Sequence, residues 1–232
     1  MGILLNFNMS FKKHLESRLT LAKTSINSSW LDCIHNPKIN FSNKMKIFEA
    51  ASQSILLYGA QVWGFMQFEE VEKLLRYFLK KMLYLPKNTP NYMLHLETNI
   101  PSLFLVTLNI HFSYIRKVLN FPNERLPKIL AIETIRAKCF WFMHWDEFYR
   151  KSHISVQDDL FYDKSQHQII LDVLSYQERE YLLNSARFSQ SHDLYPILNH
   201  SSVTYFNDNI LPYMFCLIFK ARSGLLNHNT YI

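Results

Sequence analysis

Residues 68–85 read FEEVEKLLRYFLKKMLYL, and this stretch decides the fold class. Phe68, Val71, Leu75, Phe78, Met82 and Leu85 recur at three- and four-residue spacing, which places them on one face of a helix. Glutamates crowd the start of the stretch and Lys80-Lys81 its end, the order that complements the helix macrodipole. Glu69–Lys73 and Glu72–Arg76 form i,i+4 pairs with the acid first, the more favourable orientation. Pro86 has no N–H to continue the ladder and stops the helix.

Working upstream, Tyr58 to Gly64 places two glycines around an aromatic segment, which marks a turn rather than a helix interior. Before it, Ser42 is a candidate cap for a helix running to about Leu57, and Asn36-Pro37 breaks the chain ahead of that. Ser10 caps a first helix, Phe11 to about Ser28, whose stripe is Phe11, Leu15, Leu19, Ala22 and Ile26. On a helical wheel Lys12 and Lys23 fall along one flank of that stripe and Arg18 along the other. Gly2 to Phe7 is a short apolar run with strand character.

Downstream, Thr89-Pro90 opens a short helix in the manner of a cap followed by proline. Pro101 begins another, to about Asn120. After Pro122 a single helix is expected from about Arg125 to Tyr149. A polar break covers 152–164, followed by helices near Gln166–Phe188 and Asn209–Ala221. The expected architecture is mainly α: irregular helical bundles with at most a short N-terminal strand. Residues 1–150 form a basic helical domain and 151–232 a smaller helical one.

Composition agrees with a packed, helical chain. Of the 232 residues 48% are hydrophobic and only 4 are glycine, which disfavours both disorder and turn-rich sheets. The net charge of +6 is unevenly placed. Residues 1–150 carry 19 Lys+Arg against 11 Asp+Glu, whereas 151–232 carry 6 against 8. A basic first part and a near-neutral second part point to a polyanionic partner for the first, with an incidentally basic surface as the alternative.

Catalytic signatures are missing from the sequence. There is no GxSxG, GxxxxGK[ST] or GxGxxG, and no metal-ligand pairing among the cysteines Cys33, Cys139 and Cys216. Cys139 and His144 come nearest to a ligand pair, and core packing is the preferred reading of both. Asp158-Asp159 superficially resembles a polymerase Asp-Asp turn, but Val156 stands where an aromatic is needed and the pair sits in a polar linker. The expectation is no catalytic residue, no metal and no cofactor. With no signal-like start and no membrane-length apolar run, a soluble intracellular chain is expected.

Several blocks, in order, are similar to non-LTR (LINE-type) retrotransposon reverse transcriptases. Leu57-Tyr58-Gly59-Ala60-Gln61-Val62-Trp63-Gly64 resembles the "LLYGAEVWG" block, and Glu69 to Leu85 the helix that follows it. Leu85 to Asn91 resembles "LPxNTPN", Met93 to Glu97 the adjoining "xLxxE" helix, and Pro122 to Pro127 "PxERLP". Phe219 to Leu226 resembles the "KAR" block that precedes a cysteine–histidine knuckle. Met1 to Leu5 looks like the tail of the "YLGI" primer-grip segment, and His14, Arg18 and Ala22 match the "HxxxRxxxA" helix.

The resemblance implies the region downstream of the catalytic palm: the primer-grip end, a helical thumb over 1–150 and a C-terminal linker over 151–232. It implies a piece lacking both the palm aspartates and the knuckle, which binds RNA or DNA backbone without polymerising. Lys12, Lys13, Arg18 and Lys23 are the first candidates for phosphate contact, with Lys44 and Lys46 next. Lys80 and Lys81 rank lower because the helix dipole already accounts for them. Arg222 divides between phosphate contact and a buried structural pair. Tyr58 and Trp63 suit either base stacking or a core anchor, with the core preferred. Neither a membrane nor a small-molecule substrate is expected. The rival reading is a helical interaction or structural domain, marked by an exposed apolar face; decayed sequence without selected function is a third.

Overall fold

A computed structural model describes residues 2–4, 10–28, 30–151, 164–189 and 212–222. All its regular structure is helical, and no strand occurs among the described residues. Residues 2–4 take no regular conformation, and the rest of the expected Gly2–Phe7 strand lies outside the described residues apart from those three.

The first helix, α1 (Lys12–Ser28), buries the expected stripe: Phe11 just before it, then His14, Leu15, Leu19, Ala22 and Ile26. Each fully buried aliphatic on such a face contributes about 1.5–3 kcal/mol. After the short α2 (Leu31–His35) comes α3 (Phe41–Ile47). Its cap is Asn40, not Ser42: the Asn40 Oδ1 accepts the Asn43 N–H at 2.9 Å while its own backbone stays extended. A π-helical turn (Phe48–Gln53) and α4 (Ser54–Leu56) complete the segment expected as one helix.

Gly59 then adopts φ +81°, a left-handed turn that opens the four-residue α5 (Ala60–Trp63). At the far end of α5, a Cβ on Gly64 would collide with the carbonyl oxygens of Ala60 and Thr107. The missing side chain is what lets α5 lie against α8 (Leu103–Leu119), where the Thr107 hydroxyl donates to the Gly64 carbonyl at 3.2 Å. The sequence-expected turn is thus a turn–helix–turn.

α6 (Glu69–Met82) is central, with Val71, Leu74, Leu75, Phe78, Leu79 and Met82 all buried. α7 (Asn91–Thr98) begins one residue later than expected. Pro90 holds the cap position, and Thr89 instead turns its hydroxyl back to the Pro86 carbonyl at 2.8 Å. α8 begins after Ser102 rather than at Pro101.

The helix expected over 125–149 is two: α9 (Leu126–Arg136) and α10 (Trp141–Lys151). Lys138 and Phe140 take φ +47° and +52° between them. Left-handed non-glycine residues carry no sequence flag, since only glycine, asparagine and aspartate adopt that region readily. The Phe140 ring packs edge-on to the buried Phe65 at 5.1 Å, a contact that holds the break in place.

Two hydrophobic clusters organise the described residues. One joins α1 through α7, and α11 (Lys164–Arg187) and α12 (Pro212–Arg222) add Ala186, Phe215, Cys216 and Phe219 to it. The other gathers α8, α9 and α10 with Ile170 and Leu171 of α11 around Phe112, Trp141 and Trp145. Cys139, read from sequence as a core residue, is exposed.

Candidate nucleic-acid interface

The α1 helix meets the Tyr58–Gly64 turn through side chains at i and i+4, His14 and Arg18. His14 is buried; its Nδ1 accepts the Leu4 N–H at 3.3 Å, which leaves Nε2 to donate to the Tyr58 carbonyl at 3.2 Å. The indole N–H of Trp63 donates to the same oxygen at 3.3 Å. One turn along α1, the Arg18 guanidinium lies 4.4 Å from the centre of the Tyr58 ring. Trp63 is therefore a core anchor, fully buried, whereas Tyr58 is 45% exposed and covered on one face by Arg18.

The opposite flank of α1 faces α6. There the Lys23 ammonium lies 5.2 Å from the Tyr77 ring centre and the Lys81 ammonium 5.6 Å from it. The Tyr77 hydroxyl donates to Asn27 at 2.7 Å, which fixes the ring between the two helices. His35 stacks on Tyr84 at 5.0 Å, and its pKa is lowered by burial and then by the nearby positive charges of Lys81 and Lys44. Lysines from α1 and α6 thus gather around the C-terminal end of α6, with the imidazole of His35 from α2 beside them.

The sequence-derived residues separate into groups. Lys12, Lys13 and Lys46 are exposed, and Lys23 is half-buried on the Tyr77 flank. Arg18 lies on the other flank and is engaged by Tyr58. Lys44 is 2% exposed and its pKa is lowered by burial, so it does not stand at the surface as expected. It borders a small gap beside Phe41, Met82 and Phe215 and contributes its charge from beneath. The Arg222 Nε lies 3.0 Å from both carboxylate oxygens of the fully buried Glu97, the pair rather than the phosphate alternative.

Sequence reasoning ranked Lys81 low and did not single out Tyr77 or His35. The available signal was the i,i+4 spacing of Tyr77 and Lys81, which puts a ring and a cation on one helix edge. Lys80 differs: its ammonium donates to the Lys87 carbonyl at 2.8 Å and ties down the loop after α6.

A second feature is a cleft of about 780 Å³ bordered by α6, α7, α8, α10 and α11. Glu72 lies in it, not in the expected pair with Arg76, which binds Glu69 one turn further back instead. The Glu72 Oε1 accepts the Phe104 N–H at the start of α8 at 2.9 Å, and its Oε2 is buried without a hydrogen-bond donor. Burial raises the Glu72 pKa to about 7, with the charge of Glu178 adding to the rise. Glu178, from α11, accepts the Ser102 hydroxyl at 3.0 Å and the Ser102 N–H at 3.4 Å.

No cluster of three or more potential metal ligands occurs among the described residues, and none of their helices is long and apolar enough to cross a membrane. Asp158-Asp159 lies outside the described residues. The chain matches no protein-family model, no curated protein and no solved structure.

Proposed function

We propose that the chain binds the backbone of RNA or DNA through the α1/α6 flank, as a noncatalytic helical module of the kind the thumb supplies in non-LTR reverse transcriptases. The observation that carries this reading is the sharing of the Tyr77 ring by Lys23 and Lys81, with His35 beside them. Like charges held together cost free energy in a lone protein, and a phosphate backbone relieves that cost. Lys12 and Lys13 add to it. They sit in the first turn of α1, which has no acidic residue, where the macrodipole already concentrates positive charge.

The kinship is supported by how the resembling blocks meet. The "HxxxRxxxA" residues His14 and Arg18 engage Tyr58 of the "LYGAQVWG" block. Glu97 of the "xLxxE" block pairs with Arg222 of the "KAR" block. A module whose blocks interlock in this way accounts for their shared order better than independent coincidences do.

The test is salt-titrated binding to a fluorescent RNA–DNA duplex. Three or four backbone contacts predict a log–log salt slope of about −3. Replacing Lys12, Lys23 and Lys81 together by alanine should bring it close to zero. No binding at about 50 mM salt, where such contacts are strong, rejects the reading.

A specific observation favours a second reading, an interaction domain. Leu126, Ile129 and Leu130 share one face of α9 and are 64%, 43% and 57% exposed, and α9 buries Ala131 alone among its residues. Concentration-dependent self-association abolished by Leu130→Glu, together with no duplex binding, is the result that selects it.

A further inference from the structure

We propose that the cleft bordered by α6, α8, α10 and α11 is a binding site for an organic ammonium or guanidinium cation. The reasoning starts from charge. Four carboxylates line the cleft, Glu69, Glu72, Glu147 and Glu178, against the two cations Arg76 and Lys151. Arg76 is paired with Glu69, and Lys151 with Glu147 at 2.7 Å. Glu72 and Glu178 form no ion pair among the described residues, in a chain whose net charge is +6.

Their hydrogen bonds point the same way. Both carboxylates sit at the start of α8, Glu72 on the Phe104 N–H and Glu178 on Ser102. One acid suffices to complement a helix start, and a second beside it is repelled by the first. Glu72 is 8% exposed and its Oε2 has no donor, a buried acceptor left unsatisfied. The Glu178 Oε1 accepts nothing from the described residues, and this side chain is only half-buried, so an incoming N–H can reach it. A cation there hydrogen-bonds Glu178 directly and favours the ionised form of Glu72, whose carboxyl already feels the charge of Glu178.

The walls suit the rest of such a ligand. Phe104 and Phe148 line it with ring centres 6.0 Å apart and planes tilted by 58°, and Tyr181 is 72% exposed at the rim. Aromatic faces attract cations and also cover methylene stems. A volume of about 780 Å³ accommodates a polyamine-sized molecule. A bare divalent ion is a poorer fit, because the described residues offer no third ligand grouped with these carboxylates.

The experiment is calorimetric titration of the full chain with spermidine, nucleic acid absent and ionic strength held constant with sodium chloride. Saturable one-to-one binding is expected. Glu178→Gln, which keeps an acceptor for Ser102, should weaken it about tenfold, the loss of one charge-assisted hydrogen bond. Tyr181→Ala, at an exposed rim position the fold does not need, should weaken it several-fold. Lys117→Ala, at an exposed position of α8 outside the cleft, should leave it unchanged. No saturable heat with millimolar spermidine, or an affinity indifferent to both Glu178→Gln and Tyr181→Ala, overturns the proposal.

Discussion

The guanidinium of Arg18 is stacked 4.4 Å above the ring of Tyr58, forty residues further along the chain, while Lys23, on the other flank of the same helix, rests against Tyr77. The two cations of α1 therefore have different jobs. Arg18 covers an aromatic face and helps hold α1 to the α5 turn; Lys23 stands in the cationic group at the end of α6.

Opposite consequences follow for the two alanine variants. Arg18→Ala should cost about 0.5–1 kcal/mol of stability, the worth of an exposed cation–π contact, and leave the salt slope of duplex binding unchanged. Lys23→Ala should leave stability within about 0.5 kcal/mol and reduce that slope by about 1. Urea denaturation and anisotropy titration separate the two. The same slope loss in both variants contradicts the assignment.

Glu97 and Arg222 make the next prediction. The carboxylate is fully buried and its partner arrives from 125 residues away, so removing the arginine takes an ion pair and its charge-assisted hydrogen bonds from a buried anion. Arg222→Met should destabilise by about 3 kcal/mol, and adding Glu97→Gln should restore part of that loss. The double-mutant cycle is read by chemical denaturation. Additive losses would show that the two residues are not energetically coupled.

Gly64→Ala tests the close approach of α5 to α8. The added methyl meets the backbone oxygens of Ala60 and Thr107, neither of which is the end of a flexible side chain. The helices must part, at a cost of about 1–3 kcal/mol. A thermal midpoint lowered by several degrees is expected, against little change for Gly2→Ala, where nothing lies within 4 Å.

Two buried titratable groups should pull stability in opposite directions with pH. Burial raises the Glu72 pKa from 4.5 to about 7, so between those values the folded state holds the proton more tightly. That contribution is full below pH 4.5 and is lost as pH rises through 7. His111 donates its Nδ1–H to the Gln61 carbonyl at 2.8 Å, and burial lowers its pKa from 6.5 to about 4. The unfolded chain then takes up the proton first, so stability is lost as pH falls from 6.5 towards 4. Each swing is about 3 kcal/mol, and over pH 4.5–6.5 they offset one another. Relative to wild type, Glu72→Gln should gain stability as pH rises from 4.5 to 7, and His111→Gln as pH falls from 6.5 to 4. Flat difference curves from parallel urea titrations would dismiss both shifts.

Periodicity was readable without coordinates. The stripes Phe11–Leu15–Leu19–Ala22–Ile26 and Val71–Leu75–Phe78–Met82 are buried as their spacing requires, and the helical class follows from them. Spacing of 3.6 residues is a local property: every residue that defines it lies within a few turns, so one chain segment contains the whole signal. The uneven charge is equally explicit in the sequence.

Tertiary structure decided what each polar residue faces. Glu72 reads as a surface partner of Arg76, yet it lies three and seven residues before Leu75 and Leu79, on an edge that α8 covers. Lys44 reads as a solvated cation and is buried beside Phe41 and Phe215. The break between α9 and α10 has no glycine or proline to announce it, and there Phe140 packs against Phe65, 75 residues earlier in the chain. Apolar burial is written in the order of neighbours along a helix. Polar partnership depends on groups brought together from 32, 76 or 125 residues away, and only the packed chain brings them within hydrogen-bonding reach.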